Sequence, residues 1–301
     1  MENNEELMRF VLNNPKLVTM RECENYPGLF VLKYRKSVFY DNLWNSYLEE
    51  CRGTIVDRDF RVVSRPFTKI YNYGIEDRAP KLDPNTMVDV YRKVNGFMVA
   101  VSWHDDNLLI STTGSTDSDY VRMARSMMDM ERFKTVCSQW HSTTFILECV
   151  HPDDPHIIPE APGLYLLGYR QTAWVSPIDI TPRLLIMMAE QLGTMRADYV
   201  GNFSVHELQE RVRDVRHEGF VFYTADGQGA KIKSPYYLTS KWVARNPRTN
   251  KLVDLNKDIK KNIDEEYYNL IDAIRLNIVE YTAMTEQERL SWVRNFFESP
   301  L

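Results

Sequence analysis

Two lysines on one short segment are the first residues whose types and spacing could do chemistry. Lys231 and Lys233 flank Ile232 in a segment with strand character, and alternate residues of a strand point to the same side. Two neighbouring ammonium groups repel each other unless an anion lies between them. Read alone, the pair is typical of a solvated edge strand with protective lysines. The alternative is a site that binds an anion such as phosphate.

A third lysine precedes a glycine turn in the segment Tyr91-Arg-Lys93-Val-Asn95-Gly96. Many hairpins contain such a lysine, so the segment alone is a weak signal. A lysine amine can act as a nucleophile when it is neutral, and neighbouring cations lower its pKa. We therefore hypothesise that Lys93 is a nucleophile and that Lys231 and Lys233 are the cations beside it.

Two glutamates occupy positions where a carboxylate has consequences. Glu148 interrupts the apolar run from Phe145 to Val150. A carboxylate in a buried strand is costly without a partner, which favours a functional role for Glu148. Glu218-Gly219 opens the strand before the paired lysines, so Glu218 could hold a divalent metal over a phosphate, or merely form a surface salt bridge.

A basic and aromatic stretch follows Cys51. Arg52 and Lys69 could bind phosphates, and Tyr71 could stack on a base. Charges that flank a surface hairpin explain the same residues equally well, so the stretch alone does not decide between these interpretations.

The elements that would position these residues are mostly strands. Apolar runs around polar turns predict hairpins over residues 54–64, 97–111 and 220–233, the last with an Asp226-Gly227 turn. Helices are predicted over residues 5–11, 120–139 and 182–192. In the last, Thr181 is expected to cap the helix and Pro182 to take its first position.

The pattern changes after Pro247. Apolar residues at three-and-four spacing predict a long amphipathic helix over residues 258–281, and Leu290, Val293, Phe296 and Phe297 predict another short one. The expected fold class is α+β: an antiparallel-sheet body over residues 1–247 with a small all-helical C-terminal appendage over residues 248–301.

Composition restricts the class of protein further. The 301 residues carry 37 basic and 42 acidic side chains, so binding of nucleic acid would need a local basic patch rather than a global positive field. The four scattered cysteines argue against a thiolate zinc site and a disulfide framework. The acidic N-terminus does not resemble a signal peptide, and no apolar run reaches the length of a membrane span. We expect a cytoplasmic, soluble protein without a membrane partner.

Taken in order, these pieces resemble the covalent nucleotidyltransferase superfamily of ligases and capping enzymes. Within it, the chain is most similar to the RNA ligase 1 family of T-even bacteriophages. The likeness spans roughly residues 45–240 and adds these segments to Lys93-Val-Asn95-Gly96: Glu50-Cys51-Arg52-Gly53, Ser64-Arg65-Pro66 with Lys69 and Asn72, Glu148 with Val150 and Pro152, Leu166-Leu167, Glu218-Gly219 and Lys231-Ile-Lys233-Ser234.

The resemblance implies an ATP-dependent RNA ligase. Lys93 would attack the α-phosphorus of ATP, expel pyrophosphate and form lysyl-AMP. The AMP would pass to an RNA 5′-phosphate, and a 3′-hydroxyl would then displace it. The implied partners are ATP, Mg²⁺ and RNA ends, single-stranded or from broken tRNA, in a repair role. Such chemistry depends mostly on positioning and charge neutralisation.

The resemblance also implies roles for the other residues. Lys231 and Lys233 would contact the α-phosphate, and Glu148 would accept a hydrogen bond from the ribose. Glu218 would help hold Mg²⁺ through water, because the ion keeps part of its hydration shell. The resemblance also implies that Arg52 and Lys69 bind nucleotide or RNA phosphates. Either Tyr71 or Tyr169 would stack on adenine.

The chain departs from that family at two positions. Asn95 stands where the family usually has Asp, and the sequence leaves open whether it is natural or introduced. Thr113 stands where the relative has a lysine, so a phosphate contact would be missing or come from elsewhere, with Arg122 and Arg125 as candidates. The C-terminal appendage is also much shorter than in that relative, so its tRNA preference cannot be transferred.

Two other functions compete with RNA sealing. A superfamily member that seals DNA or transfers GMP usually carries a large oligonucleotide-binding barrel after the paired lysines, and here only a helical pattern follows. An inactive RNA-binding relic is suggested by Asn95 and Thr113. The joint retention of Lys93, Glu148, Glu218, Lys231 and Lys233 argues against it. The oligomeric state is not predicted.

Overall fold

The helices surround a body of strands. The computed structural model describes residues 2–173, 178–245 and 267–298. The helices are α1 (Glu2–Asn13), α2 (Lys36–Tyr40), α3 (Ser46–Glu50), α4 (Asp119–Ser126), α5 (Met130–Cys137), α6 (Pro182–Leu192), α7 (Val205–Asp214), α8 (Pro235–Arg245), α9 (Tyr268–Leu276), α10 (Ile278–Ala283) and α11 (Glu286–Glu298).

The strands form three sheets. The strands are β1 (Val18–Cys23), β2 (Tyr26–Tyr34), β3 (Arg52–Val56), β4 (Val62–Ser64), β5 (Tyr71–Asn72), β6 (Met87–Arg92), β7 (Phe97–His104), β8 (Asn107–Ser111), β9 (Thr143–Val150), β10 (Gly163–Gln171), β11 (Met195–Arg196), β12 (Tyr199–Ser204), β13 (Gly219–Thr224) and β14 (Gly229–Lys233). Sheet I has the order β1-β2-β3-β4, sheet II β11-β10-β9-β7-β8, and sheet III β12-β6-β13-β14-β5. Neighbouring strands are antiparallel except in the pairs β10/β11 and β14/β5. The predicted α+β class with antiparallel sheets is confirmed.

All three predicted hairpins are present. They are β3/β4, β7/β8 and β13/β14. In the last, Gly219 pairs with Lys233 and Val221 with Lys231, so the register places Glu218 beside the end of the lysine strand. Apolar runs around polar turns were sufficient to predict these pairs because each hairpin is local in sequence.

The helical stretch predicted over residues 120–139 is two helices. Helix α4 ends before Met127, and α5 starts after Asp129, whose side chain accepts a hydrogen bond from the backbone of Arg132. That carboxylate supplies the N-cap that restarts the helix. Val121 and Phe133 from the two helices pack with the apolar face of sheet II, which explains why the periodicity looked continuous.

Helix α6 begins at Pro182, as predicted. Thr181 occupies the cap position, but its side chain makes no capping hydrogen bond. Asp179 instead accepts from the backbone N–H of Thr181 at 2.9 Å. The helix ends at Gly193, which adopts the left-handed conformation with φ 69° that favours glycine at this position.

The C-terminal helices pack on α8. The long helix predicted over residues 258–281 lies partly outside the described residues, and its described part is broken at Asn277 into α9 and α10. Val243 of α8 shares an apolar cluster with Ile271 and Val293. The boundary near residue 247 stays a prediction. Among the described helices, none combines the length and apolar character needed to cross a membrane.

Candidate active site

A cavity of about 500 Å³ is lined by residues from sheets II and III, with contributions from β3 and the segment before β5. Seven charged residues singled out from the sequence line it, although they come from separate parts of the chain: Arg52, Lys69, Lys93, Glu148, Glu218, Lys231 and Lys233. The convergence of three acidic or nucleophilic groups and four cations in one concave space defines the candidate active site.

Lys93 lies in the short connection between β6 and β7, which crosses from sheet III to sheet II. Gly96 allows this crossing because a Cβ at this position would lie 2.2 Å from the carbonyl oxygen of Cys149. The backbone N–H of Gly96 donates to Glu148 Oε1 at 3.1 Å. The glycine therefore holds the Lys93 connection directly against the strand that carries Glu148.

The Glu218 carboxylate is the centre of the site. Its Oε2 accepts from Lys93 Nζ at 2.9 Å and from Asn95 Nδ2 at 2.7 Å. Its Oε1 pairs with Lys233 Nζ at 3.0 Å. The residue is only 2% exposed, so these three donors compensate the cost of burying its charge. Glu218 thus fixes the two ammonium groups and the amide relative to one another.

The pKa of each central group follows from burial and its partners. Burial would lower the pKa of Lys93, but the carboxylates of Glu218 and Glu148 outweigh it and raise that pKa above its ordinary value. Burial would raise the pKa of Glu218, yet the ammonium groups of Lys93 and Lys233 lower it. For Glu148, burial dominates and the pKa is raised. The hypothesis that Lys231 and Lys233 depress the pKa of Lys93 is therefore corrected: the charges that set this pKa are those of two acids.

The pKa of Lys231 is strongly perturbed. Burial, followed by repulsion from Lys233 and Lys93, lowers the pKa of Lys231 to about 7. A lysine at this pKa is poised to gain a proton when an anion enters the cavity. Paired lysines on one strand face therefore indicate an anion site, because a bound anion relieves the repulsion between them.

Arg52 and Lys69 reach the cavity from two other elements. Lys69 Nζ pairs with Glu76 at 2.7 Å and lies 4.2 Å from the centre of the Tyr71 ring. Arg52 approaches the sulfur of Met98 at 3.8 Å. Arg65, from the same stretch, points elsewhere: it makes a buried, two-pronged ion pair with Glu50 at 2.7 and 3.0 Å. Arg52 and Lys69 are therefore the cations of this stretch that face the cavity.

The two tyrosines predicted to stack on adenine do not line the cavity. Tyr71 is buried, and its hydroxyl donates to Glu49 at 2.8 Å. Tyr169 is buried as well, and its hydroxyl donates to Asp179 at 3.0 Å. Both rings belong to apolar clusters, so the stacking prediction is corrected.

Sequence reasoning missed several lining residues. Tyr91, Phe97, Val221 and Tyr223 contribute aromatic and aliphatic surface, together with Leu166-Leu167, which the sequence identified only as a signature. Tyr91 is two residues before Lys93, and Phe97 is the first residue of β7, directly after Gly96. Val221 pairs with Lys231 across the hairpin β13/β14, and Tyr223 is two residues further along the same strand and therefore shares its face.

The two departures from the family pattern have different outcomes. Asn95 is buried, and its Oδ1 accepts from the backbone N–H of Ile158 at 3.0 Å while its amide donates to Glu218. Thr113 lines the cavity. Arg122 and Arg125 line a separate concavity with Tyr26 and Lys134, so neither replaces a lysine at position 113.

The carboxylates are suitable for a divalent cation only together with a phosphate ligand. Among the described residues, no group of three or more His, Cys, Asp or Glu side chains could hold a metal. Glu148 and Glu218 nevertheless line the same cavity, and hard oxygen donors are what Mg²⁺ prefers. Mg²⁺ is commonly bound by one or two carboxylates together with substrate phosphates, so the residues fit that arrangement.

The fold and site together define a nucleotidyltransferase of the ligase superfamily. A family model described as RNA ligase matches residues 50–237, which is more than half of the chain. The chain belongs to this RNA ligase family, which confirms the resemblance drawn from the sequence.

Individual relatives agree with this assignment. The chain is 28% identical over 187 residues to RNA ligase 1 of bacteriophage TS2126, covering 57% of this chain and 47% of that protein. It is 25% identical to the RNA ligase of Rhodothermus phage RM378, covering 92% of this chain and 76% of that protein. The chain thus spans about half of the first relative and three quarters of the second.

Solved structures share the fold. An archaeal ATP-dependent RNA ligase superposes with a TM-score of 0.58 at 14% identity, over 94% of this chain and 77% of that one. A putative ATP-dependent DNA ligase from Aquifex aeolicus gives 0.56 at 16% identity, over 96% and 76%. Because the fold is common to enzymes named for RNA and for DNA, it does not by itself select the nucleic acid.

Proposed function

We propose that this chain is an ATP-dependent RNA ligase that is adenylylated on Lys93. The observation that carries the proposal is the hydrogen-bonded cluster of Lys93, Glu218 and Lys233 in a cavity that also holds Glu148 and Lys231. One amine is held between acids in a space lined by cations. That arrangement suits attack on the innermost phosphate of a nucleotide.

The reaction has three steps. The ammonium of Lys93, which Glu218 holds in place by a hydrogen bond, loses a proton to solvent, and the amine attacks the α-phosphorus of ATP. A P–N bond forms, and the P–O bond to pyrophosphate breaks. An RNA 5′-phosphate oxygen then displaces Lys93, which recovers a proton. Finally a 3′-hydroxyl loses its proton, attacks the activated 5′-phosphate and releases AMP.

The surrounding residues bind and orient the nucleotide. Lys231 and Lys233 would contact the α-phosphate, Arg52 and Lys69 the outer phosphates, and Glu148 a ribose hydroxyl. Tyr91, Leu167 and Val221 offer the base an apolar wall in place of the buried tyrosines. Mg²⁺, when bound beside Glu148 and Glu218, would supply charge neutralisation to the phosphates.

The RNA end would enter beside α2. Phe39 lines the cavity and is 54% exposed, and its neighbour Tyr40 is 75% exposed, with the two rings 5.6 Å apart. Lys69 Nζ lies 5.9 Å from the centre of the Phe39 ring. Exposed aromatic rings beside a cation are how proteins hold single-stranded bases without reading their sequence.

Replacing both aromatics should affect the RNA steps selectively. A Phe39→Ala, Tyr40→Ala double variant should raise the KM for RNA about tenfold, because stacking is worth about 1–3 kcal/mol per base. Formation of lysyl-AMP should stay within twofold of wild type. Steady-state ligation and single-turnover adenylylation measure the two effects. An equal loss in both assays would contradict an RNA role for these side chains.

ATP binding should be accompanied by proton uptake at Lys231. Because the pKa of Lys231 is about 7, part of the population is neutral at pH 7 and most of it at pH 8. Triphosphate raises that pKa, so uptake should rise from about half a proton at pH 7 to nearly one at pH 8. Calorimetry in buffers of different ionisation enthalpy measures it.

A Lys231→Arg variant is the control for proton uptake. Its guanidinium stays charged at both pH values, so the pH-dependent part of the uptake should disappear. Uptake that persists unchanged in this variant would assign the proton to another group.

A ligation assay tests the proposed function itself. We expect the protein with ATP and Mg²⁺ to join single-stranded RNA bearing a 5′-phosphate and to leave nicked DNA duplexes unsealed. Sealing of the nicked duplex alone would assign the DNA alternative, and label from GTP would assign GMP transfer. We further propose that residues 1–247 form the adenylylation domain, that residues 248–301 form the appendage, and that the enzyme acts in the cytoplasm on broken RNA such as cleaved tRNA.

A further inference from the structure

A C-terminal arginine holds a loop that borders the active site. Arg294 of α11 donates from Nε to the carbonyl of Ile157 at 3.1 Å and from Nη2 to the same oxygen at 3.0 Å. Its Nη2 also donates to the carbonyl of His156. A guanidinium presents several donors in a fixed plane, so one side chain orients two successive carbonyl groups.

The next residue of that loop contacts the site. The backbone N–H of Ile158 donates to Asn95 Oδ1 at 3.0 Å, and Asn95 Nδ2 donates to Glu218 Oε2 at 2.7 Å. The same carboxylate oxygen accepts from Lys93. Hydrogen bonds on both sides of the Ile157–Ile158 peptide group thus connect Arg294 of helix α11 with Asn95, Glu218 and the nucleophile Lys93.

Apolar packing fixes the same loop from a second side. Ile157 and Ile158 are 2% and 4% exposed and share a cluster with Tyr237 and Ala244 of α8 and Leu290 of α11. The loop therefore has little freedom to move while the helices are in place. The orientation of the Asn95 amide depends on that immobility, because the Ile158 N–H determines which end of the amide faces Glu218.

We propose that Arg294 is a positioning residue for the adenylylation of Lys93. It orients residues 156–158, the Ile158 N–H holds the Asn95 amide, and the amide holds Glu218 against Lys93. The proposal rests on the proposed function and assigns the C-terminal helices a part in the chemistry of the body. Loss of the Arg294 contacts should misplace the Glu218 carboxylate and slow the attack of Lys93.

Helix α11 supplies a matched control. Arg289 also donates to two backbone carbonyls, those of Ala244 and Met284, each at 2.9 Å. These contacts tie α11 to the end of α8 and to its own preceding segment, and they do not involve the loop. Arg289→Ala therefore removes a comparable number of contacts from the same helix without touching the connection to Asn95.

The test compares Arg294→Ala and Arg289→Ala in the full chain. We expect Arg294→Ala to slow single-turnover adenylylation about tenfold, since small misplacements of reacting groups are costly. The Ile158 amide, followed by hydrogen exchange, should exchange faster in that variant. Arg289→Ala should stay within twofold of wild type in both assays, and thermal unfolding of the two variants shows whether they are equally well folded.

The outcomes separate this proposal from the proposed function. Equal slowing in both variants would reduce Arg294 to a general docking contact and overturn the inference. So would unchanged adenylylation or unchanged Ile158 exchange in Arg294→Ala. An absence of lysyl-AMP in the wild-type protein would instead reject the proposed function itself.

Discussion

Lys93→Ala protein incubated with α-labelled ATP and Mg²⁺ should carry no label after denaturation, whereas wild-type protein should. The expected loss is complete because the amine forms the covalent bond, and alanine offers no substitute nucleophile. Lys93 Nζ is the amine that Glu218 holds at 2.9 Å within the cavity. Gel separation after denaturation measures the retained label.

Lys134→Ala is the matched control for that experiment. Lys134 is on α5, and its Nζ pairs with Glu131 at 2.9 Å on an exposed surface away from the cavity. It should keep the wild-type label. Label that survives in Lys93→Ala would show that another residue accepts the nucleotide and would remove the basis of the proposed function.

Glu218→Gln should slow adenylylation at least about 100-fold, because the carboxylate positions the reacting groups. The amide keeps the shape of the side chain but lacks the charge that pairs with Lys93 and Lys233. The pKa of Lys93 should fall, since Glu218 is the largest influence that raises it. The residual rate should therefore depend less steeply on pH in the alkaline range than the wild-type rate.

Single-turnover adenylylation between pH 6 and pH 10 measures both effects. Glu131→Gln changes an exposed glutamate that pairs only on the surface, and it should behave as wild type. A Glu218→Gln rate near the wild-type value would contradict the central place of this carboxylate. An unchanged pH profile with a large rate loss would mean that Glu218 acts through the metal rather than through Lys93.

The local parts of this fold were predictable from the sequence. The hairpin β13/β14 is predicted from its apolar runs and its Asp226-Gly227 turn, and its register then places Glu218 beside Lys233. Helix α6 is predicted from Pro182, which takes its first position. In these cases the interactions that select the structure lie within a few residues of one another, so the sequence contains them in readable form.

Properties set by distant neighbours could not be predicted. Tyr71 has the residue type of a stacking ring, but packing around Trp44, 6.0 Å away, buries it. The sequence predicts that cations lower the pKa of Lys93, but that pKa is raised because the charges of Glu218 and Glu148 outweigh burial. In the sequence, Asn95 is only the loss of the charge that the family's Asp would carry. The fold shows that its side chain also contacts Ile158. Each outcome depends on contacts between residues far apart in sequence.

Because the Glu218 carboxylate pairs with both Lys93 and Lys233, the balance of charges in the site changes during the reaction. Before reaction, Glu218 counters two ammonium groups, and it is too deeply buried for solvent to replace either. Once the nitrogen of Lys93 is bonded to phosphorus it no longer carries a positive charge, so one of those attractions ends. We infer that Glu218 then keeps Lys233 and Asn95 as its partners, so that the loaded and unloaded forms of the enzyme differ in the charge around this carboxylate.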